Sequence, residues 1–275
     1  MPLLKALIKG ISSFFKDGCV SLAAALSYFS IISLVPLSIL IITVIGYILG
    51  NHPNLYNFIL TRLVSLFPTS THQITEELRK VIRFKSISEI SLLIYILLAI
   101  NLFTSLEHSM NIIFKISKKR PIIKSIFLSV IVVTLMSIFL IMSFLITSMA
   151  IIIRHYRLTL GDIRIGEIIS VTLRFVAPFF LVLLTFTSIF KIIPQKRVTV
   201  IHAFKGALIS TVLWELAKHF FTWYYRYVIR LGSIYGSLTI LILFLLWVYY
   251  SSCIFLLGAE IVHNLEIAPK RHLKK

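Results

Sequence analysis

Charge is what this chain lacks, and it lacks it in blocks. Residues 18–61 contain no Asp, Glu, Lys or Arg, and residues 125–153 and 231–259 are equally bare. A soluble core helix needs no charge-free stretch of that length, whereas a hydrocarbon core about 30 Å thick asks for roughly 20 apolar residues per helix. Acids are scarce as well: ten Asp and Glu stand against 28 Lys and Arg, a net charge of +18. There are two cysteines, Cys19 and Cys253, both within apolar segments. A disulfide framework and a CxxC metal site are excluded, and both thiols read as small packing residues. No Gly-Lys-Ser/Thr phosphate loop occurs, so ATP-driven chemistry of that type is excluded too.

What is present is apolar. Hydrophobic residues make up 58% of the 275 and mean hydropathy is +0.96, above the apolar share of about 45–50% usual in soluble domains. The fold class expected is all-α, a polytopic membrane bundle. The chain forms one integral membrane domain over 1–275, with spans at about 19–50, 88–106, 125–153, 175–193, 200–225 and 233–259. The fifth is the least apolar, because it carries Lys205, Glu215 and Lys218. The excess of basic residues then reads as loops held against anionic headgroups, and nucleic acid is not expected as a partner. With six spans, 16 Lys and Arg fall on the side of the termini and 11 on the other, Lys218 being the remaining one. The positive-inside rule places both termini in the cytoplasm.

Two stretches are amphipathic instead of spanning. Residues 3–15 align Leu4, Leu7, Ile8, Ile11 and Phe15 on a stripe with Lys5, Lys9 and Lys16 off it, the pattern of a helix lying among headgroups. The region lacks a small-residue cleavage site and runs into a long span, which argues against a signal peptide. Residues 54–83, with Pro68 and a Ser70/Gln73 capping spacing, suggest two more interfacial helices.

Several motifs together are similar to those of a known family. Ala23-Ala24-Ala25-Leu26-Ser27-Tyr28-Phe29-Ser30-Ile31-Ile32-Ser33-Leu34-Val35-Pro36-Leu37 resembles the first-helix signature of the YihY/BrkB family of bacterial inner-membrane proteins. Leu102-Phe103 through Glu107 to Asn111 resembles the end of its second helix. Phe190-Lys191-Ile192-Ile193-Pro194-Gln195-Lys196-Arg197 resembles its basic turn after helix four, with Gln195 where the family more often has Asn. Tyr235-Gly236-Ser237-Leu238, Leu246-Trp247-Val248-Tyr249 and Leu257-Gly258-Ala259-Glu260 resemble its last helix. The resemblance implies a six-helix, multi-pass inner-membrane protein linked to virulence and serum resistance, for which transport of an envelope lipid or another substrate has been proposed. The family has also carried a ribonuclease BN label. The sequence gives that label no support, because a metal nuclease needs clustered His, Asp or Glu. His108 beside Glu107, and His219 four after Glu215, are the nearest approaches.

The expectation is therefore a membrane protein that is not an enzyme, with no cofactor and no metal. Its partners are membrane lipids, with an anionic lipid as candidate substrate; homo-oligomerisation is left open. Ionisable residues at membrane depth are functional hypotheses by default. Glu215, with Lys218 and His219 on the same face, is either a substrate counter-ion or proton relay, or an ion pair that makes the helix insertable. Tyr28, Ser30 and Ser33 before the Pro36 bend either line a cavity or pack helices. Pro178 in the fourth span is a candidate counterpart of Pro36, a weak hint of an inverted repeat. Arg174, Arg226 and Arg230 are candidate headgroup contacts or interface anchors. Glu107, Asn111, Gly236, Gly258 and Glu260 are expected to be structural, Glu260 by meeting a Lys or Arg from a loop. A transporter or flippase-like protein is the leading reading, and a non-catalytic membrane scaffold in envelope maintenance is the alternative.

Overall fold

The computed structural model describes residues 2–33, 89–117, 165–231 and 237–267, with short helical pieces between 120 and 142. Among these residues it is all-helical: α1 (Pro2–Lys16), α2 (Cys19–Ser33), α3 (Glu89–Ile113), α4 (Ile165–Ile192), α5 (Val200–Leu231) and α6 (Ser237–Ile267). Val200–Tyr224 and Ile242–Ile267 are each long and apolar enough to cross a membrane, and α1 with α2 makes a third such element bent by 74°. Pro178 lies inside α4 without ending it. Pro36, Gly236 and the expected interfacial helices of 54–83 fall outside the described residues, as does most of the 125–153 span.

The chain divides into two compact units. The first takes residues 1–20, 107–218 and 253–275, and the second takes 21–106 and 219–252. In the first unit α5 shows how these helices pack. One face carries only small residues, Ala203, Gly206, Ala207, Ser210 and Thr211, all buried. The other carries Phe204, Leu208, Val212 and Leu216, all exposed. A water-soluble helix would do the reverse. In lipid, large apolar groups are at home outside, and small ones inside let backbones approach.

The partner of that small face is α6, and the pair is antiparallel. His202, Gly206 and Ser210, four apart on α5, meet Glu266, Val262 and Gly258, four apart on α6. A Cβ on Gly206 would lie 2.2 Å from Val262 Cγ2 and 3.0 Å from the Gly258 carbonyl oxygen. One on Gly258 would lie 1.8 Å from Ser210 Oγ and 2.9 Å from Phe190 Cζ of α4. Phe186, Phe190 and Phe255 close the α4–α6 side, with ring centroids 5.1–6.1 Å apart.

Across α6 lies α1. Its buried residues are Ala6, Gly10 and Phe14, and Ala6 packs with Ile261 and Leu265. A Cβ on Gly10 would sit 2.8 Å from Ile261 Cγ1. Most of the apolar stripe read from the sequence is not packed on protein: Leu4, Ile8, Ile11 and Phe15 are exposed, and Leu7 alone is part of the contact. The helix buries Ala6, Gly10 and Phe14 and turns Leu4, Ile8, Ile11 and Phe15 outward. Gly18, at φ +67°, makes the break into α2.

In the second unit, Ala23, Leu26, Ser27 and Ser33 form the buried side of α2, and Phe221 of α5 meets Trp247 of α6 at 4.9 Å between rings.

Gly206→Ala and Gly258→Ala are each expected to destabilise the protein by about 1–3 kcal/mol through overpacking. Gly18→Ala, with open space around it but a left-handed backbone, should cost about 1–2 kcal/mol. Thermal unfolding of the purified protein in detergent measures all three. A neutral Gly258→Ala would contradict the packing described.

Candidate functional site: buried carboxylates at one end of the helices

The first unit gathers the end of α1, the start of α2, the end of α3, the α4–α5 turn and the end of α6. Four acids lie at this end: Glu260, Asp17, Glu107 and Glu266. The deepest is Glu260, on the small-residue stretch of α6 that α5 grips, and it is 0% exposed. Its Oε1 accepts a bond from Cys19 Sγ at 3.7 Å. Its Oε2 is buried without a hydrogen-bond partner. Asp17, in the α1–α2 turn, is a neighbouring acid. His263, one turn further along α6, is buried against Phe114 with ring centroids 5.3 Å apart, and its Nδ1 has no partner.

Asp17 forms an ion pair with Lys115. The lysine owes its position to an unusual helix end. Ile116 N–H donates to the Asn111 carbonyl at 2.9 Å and Lys115 N–H to that of Ile112 at 3.1 Å. That is the paired-bond C-cap in which the left-handed residue is normally glycine. Lys115 holds that place at φ 55°, where a side chain costs roughly 1–2 kcal/mol. The strain sits where the ammonium meets Asp17. Burial pushes the Asp17 carboxyl up, but the Lys115 ammonium beside it outweighs this and holds it below the usual carboxylate range.

Glu107, at the end of α3, is buried and fully engaged. Ser125 Oγ donates to one oxygen, Gln195 Nε2 donates to the other at 3.2 Å, and Arg120 Nε lies 3.8 Å away. Gln195 belongs to the basic turn after α4, so Glu107 ties α3 to that turn. Glu266, near the end of α6, accepts from Thr199 N–H and Oγ1, both at 2.6 Å, and lies 2.9 Å from His202 Nδ1. It thus serves an otherwise unbonded backbone N–H at the start of α5, where a negative charge is favoured.

Comparison with known proteins sets this arrangement in a family. The model of the virulence factor BrkB family matches residues 11–275. The chain belongs to the BrkB family. A UPF0761 membrane protein of Coxiella burnetii is 31% identical over 264 residues, 90% of this chain and 88% of that protein. Those of Legionella pneumophila and Alkalilimnicola ehrlichii are 29% and 28% identical, over 95% and 92% of this chain. The chain spans only 62% and 56% of the length of these two relatives. No solved structure matches the chain.

In this BrkB-family chain the residues singled out from the sequence fall in both units, Glu215 and Lys218 in the first and Tyr28, Ser30 and Ser33 in the second. Glu215 receives a bond from Lys218 Nζ at 2.7 Å, one turn along α5, and Lys218 also lies 4.8 Å from the Trp214 ring centre. Ser30 Oγ bonds back to the Leu26 carbonyl and Ser27 Oγ to that of Ala24. Ser33 is buried, and Tyr28 is 61% exposed with its ring against Phe29. Arg174, Arg226 and Arg230 lie on α4 and α5, and their side chains are outside the described residues, as is Pro36. Glu107 and Gly258 sit in the packed end described above, and Asn111 Oδ1 is buried there without a partner.

Glu260 requires a correction. It was expected to meet a loop Lys or Arg; the residues beside it are Cys19 and Asp17, and the loop lysine pairs with Asp17 instead. Asp17, Lys115, His263 and Glu266 were not singled out by the sequence reading. Cys19 and Glu260 lie 241 residues apart, and no local spacing reveals such a contact. One available signal was Asp17 itself, an acid in an Asp-Gly turn immediately before a charge-free run.

Glu107→Ala is expected to lower stability by about 1–3 kcal/mol, since it leaves buried donors unpaired. Glu215→Ala should cost less than about 1 kcal/mol, because its pair lies within one turn of a single helix and is partly exposed. Unfolding curves of the two variants in the same detergent check the order; equal losses would contradict it.

Proposed function

We propose that this chain is a multi-pass protein of the bacterial inner membrane, with both termini in the cytoplasm. On this reading it moves an anionic or amphiphilic envelope substrate, such as a lipid, without enzymatic chemistry. The observation that carries the reading is Glu260, a wholly buried carboxyl group on an apolar helix, with a thiol on one oxygen and no partner on the other. Desolvating a carboxylate is expensive, and a packing role would be served at lower cost by an apolar residue. Ionisable groups kept inside membrane helices mark substrate or ion pathways. Glu107 and Glu266 supply the contrast, since ordinary hydrogen bonds account for both. With no phosphate-binding loop in the sequence, the energy would come from an ion gradient or a partner, or transport would be passive.

The inner-membrane orientation draws on the basic residues. Lys16, Lys115, Lys196 and Arg197 all lie at the packed end of the first unit, and an excess of Lys and Arg favours the cytoplasmic side. A reporter fused after Lys275 should be active in the cytoplasm; a periplasmic signal would require an odd number of spans.

A second reading, a non-catalytic scaffold, is favoured by α1, whose exposed ridge of Leu4, Ile8, Ile11 and Phe15 is free to dock on a partner or a bilayer. The envelope lipid profile of cells lacking the protein separates the two. Rescue is attempted with wild type, Glu260→Gln or Glu215→Gln at equal abundance. Transport predicts a lipid that accumulates in the null strain and is restored by wild type but not by Glu260→Gln. An unchanged profile, or full rescue by Glu260→Gln, would put the scaffold ahead.

A further inference from the structure

We propose that α1 docks the protein on the surface of an anionic bilayer. The helix lies in the headgroup layer, with its apolar ridge sunk toward the acyl chains and its lysines among the phosphate groups. Three stripes run along α1, each of one kind. Leu4, Ile8, Ile11 and Phe15 are apolar and exposed, Lys5, Lys9 and Lys16 are basic and exposed, and Ala6, Gly10 and Phe14 are buried. At 3.6 residues per turn the three stripes lie about 110–130° apart. A helix between protein and water needs two faces. This one has three, for protein, for hydrocarbon and for charged groups.

The level of α1 along the bundle matches that layer. Its protein face meets α6 at Ile261 and Leu265, in the last turns of the apolar stretch Ile242–Ile267. Those 26 residues are about 39 Å long, more than the roughly 30 Å of hydrocarbon. The polar end of the stretch, with His263, Asn264 and Glu266, therefore stands at the headgroups. The 74° break after Lys16 turns α1 away from the direction of α2, as a helix in the membrane plane requires. Lys115, Lys196 and Arg197 are exposed in the same unit, so this end is basic beyond α1 itself.

Charge decides between occupants of the ridge. α1 carries three lysines and no acid. A second copy laid ridge to ridge would bring two lysine rows of like sign together. An anionic leaflet instead attracts basic residues that flank an apolar face. Because Ala6 and Gly10 tie α1 to α6, lipid that binds α1 also stabilises the helices it rests on. The seat exists whether or not the protein moves a lipid, and an unchanged envelope lipid profile leaves it standing.

The test uses the full chain in nanodiscs of phosphatidylcholine, with or without phosphatidylglycerol. A fluorophore is attached through Ile8→Cys or Lys9→Cys in a Cys19→Ser, Cys253→Ser background. In the anionic discs the probe at position 8 should be quenched by lipid spin-labelled near the top of its acyl chain and not by aqueous iodide. The probe at position 9 should show the reverse order. Iodide quenching at position 8 overturns the proposal in favour of a protein partner, and quenching there by neither agent overturns it in favour of a second copy. Melting temperature reads the charge. Phosphatidylglycerol should raise that of wild type by several degrees, and Lys5→Gln, Lys9→Gln and Lys16→Gln together should remove more than half of the rise. High salt should weaken the rise in wild type, a check that needs no variant. No rise in wild type, a rise that salt leaves intact, or one undiminished in the triple variant overturns the anionic preference.

Discussion

The close approach of α5 and α6 is the constraint on which the rest of the first unit depends. Gly206 and Gly258 leave no room for a methyl group, so the two backbones meet where most helix pairs would be held apart by side chains. That contact brings Glu266 to the start of α5 and presses Phe190 of α4 against Gly258. It also encloses the stretch of α6 that carries Glu260. In lipid there is no hydrophobic drive between helices, and close packing of small residues is what holds them. The polar groups are thereby committed to protein contacts, because hydrocarbon offers none.

The acids then divide by how they are satisfied. Glu107 and Glu266 have hydrogen-bond donors suited to an ionised carboxylate and join elements: α3 to the basic turn, and α6 to α5. Glu215 has Lys218 on its own helix. Glu260 has a thiol, a weak donor, on one oxygen and no partner on the other. Lys115 adds to the contrast, since it occupies a backbone position suited to glycine while supplying the cation for Asp17. A fold optimised for stability alone would place glycine there and an apolar residue at 260.

Much of this was legible in the sequence at the level of elements. Charge-free runs marked α2 and α6, and the Leu4/Ile8/Ile11/Phe15 stripe marked α1, because lipid imposes length and periodicity on individual segments. The family was legible too, through motifs in helices one, two and six and the turn holding Gln195. The buried end was not. Its contacts join Cys19 to Glu260, Glu107 to Gln195 and Thr199 to Glu266 across 241, 88 and 67 residues, and only assembled helices create them. Glu215 stood out from its sequence context as an acid within an apolar helix, yet a lysine three residues away engages it. Glu260 stood at the edge of a span and read as a loop contact, because nothing local showed that α1 covers it.

The register of α5 against α6 is the claim on which the other contacts rest, and cysteine cross-linking in native membranes tests it directly. In a background with Cys19→Ser and Cys253→Ser, the pair His202→Cys with Glu266→Cys should link rapidly under mild oxidation, while His202→Cys with Ser252→Cys should not. Efficient linking of the second pair and none of the first would contradict the antiparallel register, and with it the enclosure of Glu260.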